Sequence, residues 1–235
     1  MTIGFFSTSL YGEYGVTDRL TAQFFAPFFV RNIFYDQVSA ATGETFIEGE
    51  GINGVGDFDL TLEYGLTKPG SRVAISAGVT LGLPLGRTTG SSLQNLQLGD
   101  GEFNVISRVD VGTSWELGYE GLPMYLNVYG AFNNRTNDFS DEVRVGAEIG
   151  AQFFDKKLLL SGKLDVIESL QNGIPSGLNS GASLFANNAE ISTVTVELAY
   201  NIQENWGISV STARPFRGEN IFSAPAYSVG VHLTI

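Results

Sequence analysis

Strict alternation of apolar and polar residues is the feature of this sequence that most limits its fold. Residues 143–153 place six apolar side chains on one face of an extended segment and five polar residues or glycines on the other. Successive side chains of a strand point to opposite faces, so a period of two predicts a strand with one apolar face. The same pattern recurs at residues 57–64, 73–83, 193–201 and 227–235, which predicts an all-β chain.

The links between the predicted strands alternate between short and long. We predict eleven strands, at about residues 3–14, 20–33, 56–66, 72–84, 102–115, 124–134, 142–153, 158–169, 191–201, 205–213 and 225–235. Short links contain Thr17–Arg19, Lys68–Gly70, Gly118–Pro123, Asp155–Lys157 and Gln203–Asn205, whereas long links cover residues 34–55, 85–101, 135–141, 170–190 and 214–224. Transmembrane barrels of the outer membrane have short periplasmic turns and longer external loops. The sequence therefore predicts a transmembrane antiparallel up-and-down β-barrel.

Aromatic residues cluster beside the short links. Bands of aromatic side chains mark the membrane interfaces of barrels. Six residues are predicted to form such a girdle, namely Tyr14, Tyr64, Trp115, Phe153, Tyr200 and Trp206.

The polar face of the predicted strands carries charges of both signs. A cation on the lipid face costs about 2–4 kcal/mol at the bilayer midplane, so the apolar face is assigned to lipid and the charged face to the lumen. The predicted lumen-lining residues are Glu13, Arg31, Asp57, Asp59, Glu63, Arg108, Asp110, Arg144, Glu148, Lys163, Asp165, Glu197 and His232. These charges either pair, for example Arg108 and Arg144 with Asp110 and Glu148 across neighbouring strands, or stand free and favour cations or polyhydroxylated solutes over anions.

The odd number of predicted strands conflicts with the even number normal for bacterial barrels. We expect about 12 strands in one domain, residues 1–235, with an N-terminal strand missing from the chain or one strand missed in the count. Pro27 has no backbone N–H to give to a neighbouring strand, so it predicts a bulge. The glycine-rich residues 49–54 are predicted to be a loop.

Composition and motifs exclude several other classes. Thirteen basic residues against 25 acidic ones argue against a nucleic-acid partner, and no cysteine is present for a disulfide. His232 is the only histidine, no nucleophile motif accompanies it, and the acidic loop residues lack the spacing of a calcium loop. We therefore predict no catalytic residue, no metal and no cofactor.

Four functional hypotheses remain open from the residues alone. The first is a porin-like channel for passive transport of small solutes in a Gram-negative outer membrane, with the bilayer, lipopolysaccharide and the solute as partners. The second is a structural or adhesion protein with a plugged barrel. The third is a barrel enzyme that depends on His232, and the fourth is a soluble sandwich or lectin. The sequence does not indicate an oligomeric state.

Two segments carry a resemblance to a known family. The residues from Gly54 to Leu66 and from Val79 to Gly86 are similar to the "GxGDxxLxxxYxL … LxLPxG" pairing of outer-membrane transporters named for the meta pathway of phenol degradation. The segment Tyr14–Leu20 resembles the hairpin that comes before them in that family. The likeness covers roughly residues 10–235 and is greatest to members from Bacteroidota, although Ile235 stands where an aromatic residue often ends the family's chains. The resemblance implies a further N-terminal strand and a channel, with small apolar or aromatic compounds among the solutes.

Overall fold

The computed structural model describes residues 3–92, 94, 96–118, 121–174, 185–221 and 223–235. Within these ranges the regular structure is entirely β. The strands are β1 (Ile3–Gly15), β2 (Leu20–Phe34), β3 (Gln37–Val38), β4 (Thr45–Ile47), β5 (Glu50–Gly54), β6 (Phe58–Gly65), β7 (Val73–Leu83), β8 (Asn104–Leu117), β9 (Leu122–Arg135), β10 (Glu142–Phe153), β11 (Leu158–Ser169), β12 (Glu190–Gln203), β13 (Trp206–Glu219) and β14 (Ala226–Leu233). None of the described residues forms a helix long and apolar enough to cross a membrane.

The strands form one antiparallel up-and-down sheet in the order β1-β2-β6-β7-β8-β9-β10-β11-β12-β13-β14. Strand β5 also pairs with β2, and β3 and β4 form a separate small hairpin. Among the described residues β1 and β14 each have one neighbour, so the sheet is an open, curled half-barrel with eleven strands along its path.

All eleven predicted strands are present, which confirms the predicted fold class. Two details of the prediction were wrong. Residues 50–54 form β5 instead of a loop, and β13 continues to Glu219, well past its predicted end. The contrast between links is also weaker than expected, because residues 66–72 form a link no shorter than those at 136–141 and 220–225.

Pro27 marks the predicted bulge. Thr8 pairs with Phe29, whereas Leu10 pairs with Ala26, so β2 contains one more residue than β1 over this stretch. On the other side of β2 the ladder breaks between β5 and β6, and Gly56 N donates to Pro27 O at 2.8 Å. Because side chains alternate along a strand, the extra residue reverses which residues of β2 face each side.

The two faces of the sheet differ in chemistry. The convex face carries large apolar side chains that are exposed, such as Leu62, Val145, Val196 and Val210. The concave face carries the charged residues and encloses a cavity. Buried apolar packing is found mainly near the end that carries the long links, which we call the loop end, where five side chains form a cluster: Val30, Phe34, Ile52, Leu96 and Leu98. The opposite end is called the turn end.

Candidate functional site

A cavity of about 540 Å³ occupies the concave face between β1 and β10. Its polar lining comes from strands that present every second residue to this side. Five of the predicted lumen-lining residues contribute charge to it, namely Asp59, Glu63, Arg108, Asp110 and Arg144, and Tyr129 adds a hydroxyl group. A water-accessible cavity lined by both signs of charge is the main candidate site.

Arg108 forms the best-defined ion pair in the cavity. Its Nε and one terminal nitrogen donate to the two carboxylate oxygens of Asp110, each at 2.7 Å. The guanidinium carbon also lies 3.7 Å from the centre of the Tyr129 ring. Asn127 donates to the same Asp110 carboxylate at 3.1 Å. The pair joins residues two apart on one strand, and not neighbouring strands as the sequence suggested.

Tyrosine hydroxyls bind the next carboxylates around the sheet. Tyr129 donates to Asp165 at 2.5 Å, and Lys163 lies 3.4 Å from the other oxygen of that carboxylate. Tyr125 donates to Glu148. Neither tyrosine was predicted from the sequence, because an amphipathic side chain counts as apolar in a hydrophobic pattern although its hydroxyl group forms hydrogen bonds with polar partners.

Two other carboxylates have uncharged donors. Glu63 accepts hydrogen bonds from Gln23 at 3.0 Å and from Ser76 at 2.5 Å. Glu13 accepts one from Tyr11 at 2.8 Å. Within the described residues neither carboxylate forms an ion pair with Lys or Arg, so their charge is not neutralised by a contact.

A second charged group lies at the loop end and was not predicted as a unit. Arg135 donates to Glu142 at 2.8 Å and to Asp100 at 3.0 Å, and Arg144 donates to Glu142 at 2.6 Å. Asn133, which is fully buried, donates to Glu142 at 3.2 Å. Arg135 ends β9 and Glu142 begins β10. At strand ends the alternation of apolar and polar residues does not predict that two side chains share a site.

The remaining predicted charges have separate positions. Asp57 lies just before β6 and binds the link between β7 and β8. Glu197 is in register with Ser161 and Ser211, and His232 Nε2 lies 2.8 Å from Asn201 Oδ1. Arg31 is in register with Phe6 and Asn53 on the convex side, because the extra residue at Pro27 reverses the alternation.

The six aromatic residues of the predicted girdle lie on the convex side near the turn end. Each is in register with at least one apolar neighbour, as Tyr64 is with Leu20 and Tyr200 with Ile208. Tyr14 is 75% exposed, and the Phe153 ring lies 6.5 Å from that of Phe154. The outward rings are Tyr14, Tyr64, Trp115, Phe153, Tyr200 and Trp206.

The described residues hold no group of three or more His, Cys, Asp or Glu side chains placed to bind a metal ion. His232 contacts the side-chain amide of Asn201, and it has no hydrogen bond to a serine or a carboxylate among the described residues. The acidic loop residues have other contacts, since Glu50 binds Ser92 and Asp100 binds Arg135. In the part of the chain that the structure describes, these side chains therefore form no arrangement that resembles a hydrolytic or metal site.

One residue of the long link after β11 reaches across the loop end. The Phe185 ring lies 6.2 Å from the ring of Phe5 in β1, at an angle of 64°. Residues 175–184 of this link, predicted as part of an external loop, lie outside the described residues.

Comparison with solved structures shows the same fold in a membrane protein. The chain is similar to the crystal structure of an outer membrane channel from Pseudomonas putida F1, with a TM-score of 0.55 and 20% identity over 98% of this chain and 81% of that one. No protein-family model and no curated protein matches the sequence. At this identity the likeness shows the fold class, an antiparallel β-barrel architecture that a known channel uses.

Proposed function

We propose that the chain is an outer membrane channel of a Gram-negative bacterium that passes small solutes passively. The observation that carries the proposal is the inverted sheet, with exposed apolar side chains outside and a charged cavity inside. In a water-soluble protein the apolar face would need a cover, whereas in a bilayer it contacts lipid. The similarity to a solved outer membrane channel supports the same function.

In a bilayer the two free edges of the sheet have to be joined. Lipid cannot satisfy the backbone groups of an edge strand, so spanning sheets close into barrels. With eleven alternating strands on the path, β1 and β14 run in the same direction, and one further antiparallel strand between them would complete an up-and-down barrel. Closure by a twelfth strand is therefore part of the proposal.

The arrangement of ion pairs favours an open channel over a plugged one. The pairs Arg108–Asp110 and Lys163–Asp165 each join residues two apart on the same strand. Such pairs lie along the wall and do not cross the cavity. The contacts at the loop end, including Phe5 with Phe185, favour a second candidate, a structural protein whose barrel is closed.

The wall charges favour cations and neutral polar solutes over anions. Arg108, Arg144 and Lys163 each contact a carboxylate, whereas Glu13, Glu63 and Glu148 accept hydrogen bonds from uncharged groups. The charge on the concave face that no ion pair neutralises is therefore negative. Small aromatic solutes, which the sequence resemblance implies, fit this wall best when they carry polar groups.

The proposal extends to the membrane partners. The outward aromatic residues near the turn end would mark the periplasmic interface, and the loop end would face lipopolysaccharide and the exterior. Membership of the phenol-degradation transporter family, of a Bacteroidota type, remains a proposal based on the segments around Asp57 and Gly86.

Single-channel recording in planar bilayers tests the function. Purified protein, refolded in detergent, should produce unitary currents in potassium chloride and a reversal potential that indicates cation preference in a salt gradient. Swelling of proteoliposomes in a neutral sugar should confirm passage of uncharged solutes. Folded protein that gives neither current nor swelling would reject the channel and favour the closed structural barrel.

A further inference from the structure

The link between β7 and β8, residues 84–103, folds onto the concave face and not outward into solvent. We call it the inserted loop; residues 93 and 95 of it lie outside the described ranges. Leu96 and Leu98 are only 3% and 2% exposed and pack with Val30 and Phe34 of β2. Phe34 is in register with Ile3 of β1, and Val30 is in register with Ser7. Ile3 and Ser7 lie on the same face of β1 as Tyr11, which lines the cavity. The inserted loop therefore occupies part of the interior at the loop end.

The two arms of the inserted loop meet at a narrow neck. Leu98 N donates to Arg87 O at 2.7 Å, which brings the arms together. A Cβ added to Gly86 would lie 2.7 Å from the Gly99 Cα, so glycine permits the close approach of the two backbones. The arms would separate if either backbone were displaced.

A single carboxylate, Asp57, bonds to both arms of the neck. Its Oδ1 accepts a hydrogen bond from Gly86 N at 2.8 Å, and its Oδ2 accepts one from Asp100 N at 2.9 Å. Burial raises the pKa of Asp57 above its ordinary value, whereas these two backbone bonds lower it. The side chain is thus held in a partly desolvated position by the loop that it binds.

Other contacts attach the inserted loop to the sheet beyond the neck. Asn32, on the concave face of β2, donates to Gln97 O at 3.0 Å. Asp100 binds Arg135 at the end of β9 at 3.0 Å. The loop is therefore anchored to both sides of the loop end, with Asp57 as the residue common to its two arms.

The contact joins the two segments that carry the family resemblance. Asp57 belongs to the segment Gly54–Leu66, and Gly86 ends the segment Val79–Gly86. Asp57 was predicted from the sequence to line the lumen, and no role was predicted for Gly86. Their hydrogen bond links the start of β6 to the start of the inserted loop.

We propose that Asp57 is a positioning residue that holds the inserted loop inside the loop end, and that the loop thereby sets the size limit of the channel. This inference rests on the proposed function. A loop that occupies the interior reduces the cross-section through which solute passes, so releasing it from Asp57 widens the opening.

Two variants separate the hydrogen bonds of Asp57 from its charge. Asp57→Ala removes both acceptors, whereas Asp57→Asn removes the same charge but keeps one carbonyl oxygen of similar position. In amide hydrogen exchange on the detergent-solubilised protein, Asp57→Ala should increase exchange at Gly86 and Asp100 at least about tenfold, because both N–H groups lose their partner. Asp57→Asn should give a smaller increase. Glu48→Gln, at an exposed loop carboxylate, is the matched control and should leave exchange unchanged.

Gly99→Ala is a second, independent variant that should release the inserted loop from Asp57. A Cβ at Gly99 would lie 2.3 Å from Asp57 Oδ1, so the carboxylate has to move while its charge remains. Exchange at Gly86 should therefore increase in this variant as well. Unchanged exchange in both Asp57→Ala and Gly99→Ala would overturn the role of Asp57.

Bilayer recording with polyethylene glycols of graded size then tests the size limit. Asp57→Ala and Gly99→Ala should raise unitary conductance and admit larger polymers, with Asp57→Asn between them and the wild type. Equal conductance changes in Asp57→Ala and Asp57→Asn would indicate a charge effect and reject the proposal. A faster-exchanging loop with an unchanged polymer limit would reject it as well. A wild-type protein without current would instead reject the proposed function, and exchange would still decide whether Asp57 holds the loop.

Discussion

The convex and concave faces of the same strands carry side chains of opposite chemistry. On β13, Val210 points outward and is about half exposed, whereas its neighbour Ser211 points inward and is in register with Glu197. A soluble sheet would bury the valine side and expose the serine side. Exposed apolar side chains outside and polar side chains inside fit a sheet with an apolar environment on its convex face and water on its concave face, which is the arrangement that the proposed channel requires.

The largest effect is expected from a charge placed on the convex face. Val210→Arg should destabilise the protein folded in lipid vesicles by about 2–4 kcal/mol, because a cation then faces the hydrocarbon. Urea unfolding in vesicles, followed by tryptophan fluorescence, measures the free energy of unfolding.

Ser211→Arg is the matched variant one residue away. Its side chain would face water and Glu197, so the free energy of unfolding should change by less than about 1 kcal/mol. Equal destabilisation by both substitutions would show that the two faces do not have different surroundings.

The period of two was sufficient to predict the strands and the chemistry of their faces. It predicted the wrong face for Arg31, because the extra residue beside Pro27 reverses the alternation. A proline predicts a bulge but does not indicate how many extra residues the bulge contains. The period of two also failed at β5, whose short glycine-rich sequence depends on pairing with β2. Strand order in an up-and-down sheet follows from the chain order, which is why the topology was predictable.

The candidate site was less predictable than the fold. Arg108 and Asp110 are two apart on one strand, so their shared face follows from the sequence. Their contacts with Tyr129 and Asn127 depend on cross-strand register, which alternation leaves undetermined. The position of the inserted loop depends on long-range contacts of Asp57 that no local pattern contains.

A smaller effect is expected from removing a hydroxyl inside the concave face. Tyr129→Phe loses the hydrogen bond to Asp165, whose carboxylate then keeps the contact with Lys163. The free energy of unfolding in vesicles should fall by about 1–2 kcal/mol, since the hydrogen bond is to a charged group.

Tyr200→Phe is the control on the convex face, where the ring is in register with Leu158 and Ile208. This substitution should change the free energy of unfolding by less than about 0.5 kcal/mol. A larger cost for Tyr200→Phe than for Tyr129→Phe would contradict the assignment of polar contacts to the concave face.

The smallest effects are expected on ion selectivity. Glu63→Gln removes an uncompensated negative charge, so the reversal potential in a potassium chloride gradient should move toward that of a non-selective pore. Arg108→Gln removes the ion pair with Asp110, so the reversal potential should move in the opposite direction. One charge near water contributes about 1 kcal/mol at 4 Å, so each permeability ratio should change by no more than about fivefold. Shifts of the same sign in both variants would reject a wall with excess negative charge.

Accessibility of single cysteines along β12 tests the central claim most directly, because the chain contains no cysteine of its own. Cysteines would replace Val194, Thr195, Val196, Glu197 and Leu198 in turn, in protein folded into vesicles. A charged, membrane-impermeant thiol reagent should label Thr195→Cys and Glu197→Cys and should leave the three convex positions unlabelled. Equal labelling at all five positions would contradict a sheet with lipid on one face and water on the other.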